Sequence, residues 1–102
     1  MNTLSSYDVI IIGAGPAGIF AARELVKNRG LRVLIMEKGE DIEQRSCPMM
    51  DASVPCVKCS ICSILCGWGG AGAYSDGKPT LTPDVGGWLK EYIPKDYIYG
   101  LI

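Results

Sequence analysis

The sequence predicts an α/β fold built on a parallel sheet. Residues 7–12 and 31–36 are β-branched and almost continuously apolar, as strands buried on both faces of a parallel sheet are. Between them, apolar side chains recur at helical spacing up to residue 29, so residues 1–38 form a βαβ unit. Residues 39–78 are rich in cysteine and glycine, and residues 79–102 are expected to form a helix and an apolar tail.

Composition excludes several classes of function. Ten Lys and Arg residues balance eleven Asp and Glu residues, which gives no electrostatic reason to expect nucleic acid or an anionic membrane as partner. The chain has no histidine, which excludes catalysis by histidine and metal sites with histidine ligands. Five closely spaced cysteines argue against a secreted disulfide framework, and the longest uncharged run, residues 9–22, is too short to span a bilayer. We therefore expect a soluble, cytoplasmic protein.

Local signals mark the ends of the remaining elements. Gly30, after a basic residue, ends the first helix. Residues 41–45 predict one helical turn. Thr82 as N-cap and Pro83 at the first helical position predict a second helix, which ends at Pro94. The apolar face of that helix would consist of Trp88, Leu89, Tyr92 and Ile93.

A glycine fingerprint follows the first strand. Gly13-Ala14-Gly15-Pro16-Ala17-Gly18 has the form G-x-G-x-x-G and lies between a buried strand and a helix, as in dinucleotide-binding Rossmann folds. In that arrangement Gly13 allows the tight turn and Gly15 lets a pyrophosphate approach the backbone. Gly18 lets the helix pack closely on the sheet, and the free N–H groups of the helix attract the phosphates.

An acidic residue completes the fingerprint. Glu37 ends the second strand, 19 residues after Gly18, where a carboxylate accepts hydrogen bonds from a ribose diol. The same carboxylate would repel a 2′-phosphate, so we expect no NADP at this site. FAD and NAD share the ADP half that this fingerprint binds, and the residues alone leave the choice between them open.

Two resemblances favour FAD. Residues 7–18, followed by Glu37-Lys38-Gly39, resemble the opening of FAD-dependent oxidoreductases of the glutathione-reductase-like class. Residues 5–93 resemble a family of uncharacterised FAD-dependent dehydrogenases. That second resemblance rests on the cysteine cluster and on the runs Arg45-Ser46-Cys47-Pro48, Gly67-Trp68-Gly69-Gly70-Ala71-Gly72-Ala73-Tyr74-Ser75-Asp76-Gly77-Lys78 and Val85-Gly86-Gly87-Trp88-Leu89.

The resemblance implies roles for further residues. Gly70, Gly72 and Ser75 would lie beside the flavin, Arg45 would lie near the ribose or phosphates of FAD, and Lys38 would also bind the cofactor. NADH or another donor would supply electrons. Members of the family are several times longer, so the chain is expected to be a truncated, partial FAD-binding domain. It would need the remainder of a larger flavoprotein or self-association.

The cysteines form a second motif. Cys56, Cys59, Cys62 and Cys66 spell C-x2-C-x2-C-x3-C, the spacing of a bacterial ferredoxin run, in which the fourth cysteine ligates the other cluster. Cys47 is then a candidate for the missing ligand. On a helix the four thiols would form one stripe. An iron–sulfur or zinc site, a redox dithiol pair near the flavin, and buried small residues without chemistry all stay open.

Three functions are consistent with these observations. The first is the FAD-binding portion of a flavin-dependent oxidoreductase or dehydrogenase. The second is a small iron–sulfur or zinc-binding electron-transfer protein whose nucleotide site is vestigial. The third is an inactive truncated fragment.

Overall fold

The computed structural model describes residues 6–84 and 86–101; Val85, part of one run that carries the family resemblance, lies outside them. Its longest helix has 14 residues, and within the described ranges no helix is long and apolar enough to cross a membrane. The strands are β1 (Val9–Ile12) and β2 (Val33–Met36). The α-helices are α1 (Pro16–Arg29), α2 (Pro48–Asp51), α3 (Leu89–Tyr92) and α4 (Lys95–Tyr99), and 3₁₀ helices span Ile42–Gln44 and Gly70–Tyr74.

The predicted βαβ unit is confirmed. β1 and β2 pair in parallel, with Val9 opposite Val33 and Ile12 opposite Met36. At the amino end of the pair, the Asp8 N–H donates to the Arg32 carbonyl at 2.8 Å, and the Arg32 N–H donates to the Asp8 carboxylate at 2.8 Å. These bonds fix the register, so the two strands end together after Ile12 and Met36.

Helix α1 lies close to the sheet because its inward positions are small. A Cβ built on Gly18 would collide with the Gly13 carbonyl oxygen, and Ala22, one turn later, is buried. Gly30 ends the helix in the left-handed region at φ +61°, and its N–H donates to the last carbonyls. The close approach predicted at Gly18 and the stop predicted at Gly30 are both confirmed.

Both strands have one face open to solvent, although the sequence predicts strands that are buried on both faces. Ile10 is 57% exposed and Ile12 is 78% exposed, because the described residues place no second layer over that side of the two-stranded sheet. The radius of gyration is 17.3 Å, whereas a compact domain of this length has about 13 Å. The described residues therefore form a two-stranded sheet with one uncovered face, and they do not form a complete doubly wound sheet.

The predicted second helix is much shorter than expected. Among the described residues of 82–94, only Leu89–Tyr92 are helical, and the Thr82 hydroxyl instead donates to the Asp84 carboxylate at 2.8 Å. The reason is the pair Gly86 and Gly87, at φ +78° and +81°, a backbone conformation that ends a helix. The prediction that Pro94 ends the helix holds, but its apolar side chains, Trp88 and Tyr92 above all, are exposed.

The cysteine run is not helical. Residues 53–61 contain no helix or strand, so the four thiols predicted to share one helical stripe do not form one. The only helix-like bond here joins the Cys66 N–H to the Cys62 carbonyl, at 2.8 Å. The helical turn predicted over residues 41–45 is present as Ile42–Gln44, where the Asp41 carboxylate caps the Ile42 N–H.

A matched pair of glycine variants tests the packing of α1. Gly18→Ala should lower the free energy of unfolding by about 1–3 kcal/mol, because the new methyl group overlaps the Gly13 carbonyl. Gly15→Ala should cost less, at most about 1 kcal/mol, because that position is open and has an ordinary φ of −73°, and only the weaker N-cap preference of alanine acts against it. Urea unfolding followed by circular dichroism measures both. Equal losses in the two variants would contradict the packing at Gly18.

Candidate functional site

The glycine fingerprint forms a turn at the carboxyl end of the two strands. Gly13 has φ +103°, and its N–H donates to the Met36 carbonyl at 2.7 Å. The turn is thereby fixed to the end of β2 as well as to β1. In open parallel sheets this edge is where ligands bind.

The first turn of α1 offers donors to an anion. Within the described ranges, the N–H groups of Gly15, Ala17 and Gly18 have no protein acceptor, and the first helical bond runs from Ile19 to the Gly15 carbonyl at 3.0 Å. A Cβ on Gly15 would meet no atom within 4 Å, so the backbone there is open to a ligand. These donors lie at the positive end of a 14-residue helix and suit a pyrophosphate.

Glu37 occupies the position predicted for the ribose carboxylate, and it also joins three segments. Its Oε2 accepts the Ala14 N–H at 2.8 Å, and its Oε1 accepts the N–H groups of Gly39 at 2.8 Å and Gly67 at 3.0 Å. Each carboxylate oxygen has two acceptor positions, so one position on Oε2 remains for a ligand hydroxyl. The carboxylate is therefore both a structural clasp and a candidate ribose acceptor.

The same bonds shift the ionisation of Glu37. The Ala14 and Gly39 N–H groups hold the pKa of the carboxyl below its ordinary value, and those of Gly67 and Lys38 act in the same direction. Partial burial opposes them by raising the pKa, but the donors outweigh it. Glu37 is consequently a carboxylate at neutral pH.

An open cleft of about 460 Å³ lies beside Glu37. Two further carboxylates, Glu40 and Asp41, line it together with Gly39 and the half-exposed indole of Trp68. The cleft is acidic and has one flat aromatic wall. A neutral ribose and a base suit it better than a phosphorylated ribose does.

The second glycine run packs directly on the first. The Gly69 N–H donates to the Ala14 carbonyl at 2.7 Å, and a Cβ on Gly70 would lie 3.5 Å from the Gly15 Cα. Gly72 lies against the Pro16 ring, where a Cβ would be 3.6 Å from Cγ. The structure thus places Gly70 and Gly72, two predicted flavin contacts, beside the fingerprint.

The other two predicted contacts are exposed residues. Ser75 is in a turn in which its hydroxyl accepts the Gly77 N–H at 3.1 Å. Lys38 lines a cleft that Gly13 and Glu37 also line. The contact of either side chain with a cofactor stays a prediction.

Gly39, Gly67 and Trp68 belong to runs that carry the resemblance, but the sequence did not single them out as site residues. A Cβ on Gly39 would collide with the backbone of Gly67, and Gly67 itself has φ +121° and lies against Glu40 and Arg45. These two glycines let the chain after β2 meet the second glycine run, which brings Trp68 to the cleft. The sequence signal for Gly39 is its position two residues after Glu37, the carboxylate predicted to bind a ribose.

Arg45 has a structural role that differs from the predicted contact with ribose or phosphate. The residue is only 8% exposed, and its guanidinium donates to four backbone carbonyls at 2.6–3.2 Å. It also lies 4.8 Å from the centre of the Tyr74 ring. A buried guanidinium with four of its five N–H groups engaged holds the cysteine and glycine segments together. The four carbonyls belong to Ser63, Ile64, Trp68 and Gly70.

The five cysteines are free thiols in two places. Cys47, Cys56, Cys59 and Cys62 line one cavity, and Cys66 lies in a separate cleft beside Gly13 and Glu37. In the described part of the chain, no three Cys, His, Asp or Glu side chains are close enough to coordinate one metal ion. The predicted set of Cys56, Cys59, Cys62 and Cys66 is therefore divided by the fold.

Comparison with known proteins gives similarity that is strongest at the N-terminus. The Thi4 family matches residues 1–42. A protein of Clostridium beijerinckii described as uncharacterized is 39% identical over 72 residues, which are 70% of this chain and 13% of that protein.

Two further relatives have functional names. "Putative FAD-dependent oxidoreductase LodB" of Marinomonas mediterranea is 43% identical over 42 residues, 41% of this chain and 11% of the relative. Digeranylgeranylglycerophospholipid reductase of Picrophilus torridus is 54% identical over 37 residues, 36% of this chain and 9% of the relative.

These matches confirm the resemblance to the N-terminal portion of FAD-dependent oxidoreductases. The chain spans about a tenth of the length of the curated relatives it matches. No solved structure matches it.

Replacing the buried guanidinium tests its structural role. Arg45→Lys should lower the free energy of unfolding by about 2–4 kcal/mol, because one ammonium group cannot serve four separate carbonyls. Arg32→Lys, at an exposed ion pair of 3.8 Å, is the matched control and should cost no more than about 1 kcal/mol. Urea unfolding compares them, and equal effects would contradict the role of Arg45.

The Glu37 clasp makes stability depend on pH. Its pKa is lowered in the folded chain, so the unfolded chain binds more protons in acid. The stabilisation is complete above the ordinary pKa of about 4.3 and is lost as pH falls through the folded value. Glu37→Gln should remove this loss of folding stability between about pH 5 and pH 3. The midpoint of urea unfolding, recorded across that pH range, measures it. Glu43→Gln, exposed and equal in charge change, is the control. An unaltered pH profile in Glu37→Gln would contradict the clasp.

Proposed function

We propose that this chain is the FAD-binding portion of a flavin-dependent oxidoreductase. The observation that carries the proposal is the open backbone at Gly15, flanked by N–H groups without a protein acceptor and by the Glu37 carboxylate. A pyrophosphate and a ribose diol need these two features at this separation along a βαβ unit. The names of the N-terminal relatives support FAD as the dinucleotide.

Each part of the ADP half has a matching group. The N–H groups of Gly15, Ala17 and Gly18 would bind the pyrophosphate, and the remaining acceptor position on Glu37 Oε2 would take a ribose hydroxyl. The acidic cleft beyond Glu37 would receive the adenine, with the Trp68 indole as a stacking surface. Three carboxylates around that cleft would repel a 2′-phosphate, which favours FAD or NAD over NADP.

The second glycine run supports the flavin half. Gly70 and Gly72 pack against Gly15 and Pro16, so a cofactor leaving the pyrophosphate site would meet this run, and Ser75 follows it in the chain. When bound, the flavin would supply the hydride-accepting chemistry. The protein's own part would be to hold the cofactor and, through Arg45, to keep the glycine run in place against the fingerprint.

Electron transfer from a donor would also need parts of a larger flavoprotein, because the chain spans about a tenth of the length of its curated relatives. NADH or another reduced compound would be the electron donor. The exposed strand face at Ile10 and Ile12 would be covered by further parts of a larger flavoprotein or by self-association. All five cysteines are free thiols, which supports the cytoplasm as the compartment.

A charge placed in the pyrophosphate position tests this function. Gly15→Glu should abolish FAD binding, because the new carboxylate occupies the space that the phosphates need. Ala21→Glu adds the same charge on the exposed side of α1 and should leave FAD affinity unchanged. Titration followed by flavin fluorescence measures both variants. Unchanged FAD affinity in Gly15→Glu, or no FAD binding by the parent chain, would overturn the proposal.

The ribose contact can be tested separately. Glu37→Ala should weaken FAD binding about tenfold or more, because a hydrogen bond to a charged group is lost together with the clasp. ADP should compete with FAD in the parent chain, since the two share the half that this site binds. Failure of ADP to compete would show that FAD binds elsewhere.

A further inference from the structure

Four of the five cysteines surround one cavity. Cys47, Cys56, Cys59 and Cys62 line a partly open cavity of about 180 Å³. Its other walls are largely apolar, with Met49, Val57 and Ile64 among them. Cys47 precedes α2, and the other three lie in the loop that follows α2, so two separate segments converge on this space.

Few hydrogen bonds hold the loop that carries Cys56, Cys59 and Cys62. Among the described residues, positions 53–61 donate no backbone hydrogen bond to another backbone group, and all of them are exposed. Ser53 and Lys58 have φ +53°, which is unfavourable for residues with a side chain. Ordering a residue costs about 1–2 kcal/mol of backbone entropy. A bound group that ties the thiols together would offset that cost.

The arrangement of the thiols favours a cluster over a single ion. In the part of the chain that the structure describes, no group of three or more Cys, His, Asp or Glu side chains is placed to hold one metal ion. A cubane cluster needs four thiolates around a space that holds its iron and sulfide atoms, and four cysteines line one cavity here.

The position of Cys66 also agrees with a cluster that Cys47 completes. In a run of the form C-x2-C-x2-C-x3-C the first three cysteines serve one cluster and the fourth serves another site, so one remote cysteine completes the set. Here Cys66 lies in the cleft beside Gly13 and Glu37, away from the other three. Cys47 is the remote cysteine that the fold brings to the cavity.

We propose that Cys47, Cys56, Cys59 and Cys62 ligate a [4Fe–4S] cluster in this cavity, and that Cys66 is not a ligand. Binding converts four thiols to thiolates, and their four protons pass to the solvent as the preformed iron–sulfide core is captured. Arg45 links this site to the nucleotide site, since it donates to the carbonyls of Ser63 and Ile64 at the cavity and of Trp68 and Gly70 beside the fingerprint.

Anaerobic reconstitution of the full chain with ferric iron, sulfide and a thiol reductant, which supplies the two electrons that the core needs, tests the proposal without any mutation. The expected product holds four iron and four acid-labile sulfide per chain. Iodoacetamide should then modify Cys66 alone, as mapped by mass spectrometry, and all five cysteines in the untreated chain. Zinc bound in place of iron and sulfide, no metal bound, or protection of Cys66 with modification of Cys47 would overturn the proposal.

Serine variants then identify the ligands. Cys47→Ser should lose at least half of the bound iron and the visible absorption of the cluster, and Cys66→Ser, the matched control, should keep both. Far-ultraviolet circular dichroism of each variant before reconstitution establishes that it is folded. The opposite pattern, with iron kept by Cys47→Ser and lost by Cys66→Ser, would assign the ligands to the consecutive run and contradict the cavity. These outcomes are independent of FAD binding.

Discussion

The Glu37 carboxylate is the interaction on which the rest of the structure depends. It accepts N–H groups from Ala14 in the fingerprint, from Gly39 after β2 and from Gly67 at the start of the second glycine run. Three segments, which lie up to 30 residues from Glu37 along the sequence, are joined at this one charged side chain. The two-stranded sheet alone could not position them, and the clasp acts together with the bond from the Gly69 N–H to the Ala14 carbonyl to hold the second glycine run over Gly15.

Arg45 complements this clasp from the other side. Its buried guanidinium binds carbonyls on both sides of Cys66, which lie at the thiol cavity and beside the fingerprint. Glu37 therefore gathers backbone donors and Arg45 gathers backbone acceptors, and the two together order a segment that has little regular secondary structure.

The parts of the fold that depend on local pattern could be predicted from the sequence. Both strands, α1, the stop at Gly30 and the fingerprint follow from apolar spacing and glycine positions within short windows. The helix expected from Thr82 failed because Gly86 and Gly87 outweigh a good N-cap, a signal that the sequence did contain. Long-range placements could not be predicted: the four carbonyls that engage Arg45, the collision that requires glycine at position 39, and the separation of Cys66 from Cys47 arise only when distant segments meet.

The central claim is that a dinucleotide lies on the first turn of α1, against the Glu37 clasp. Backbone amide chemical shifts, followed by ¹⁵N-resolved NMR as FAD is added to the chain, test it most directly. The largest changes are expected at Gly15, Ala17 and Gly18, whose N–H groups have no acceptor among the described residues, followed by Ala14 and Gly67, which Glu37 binds. Changes confined to residues 89–99, or no change at the fingerprint under saturating FAD, would contradict it.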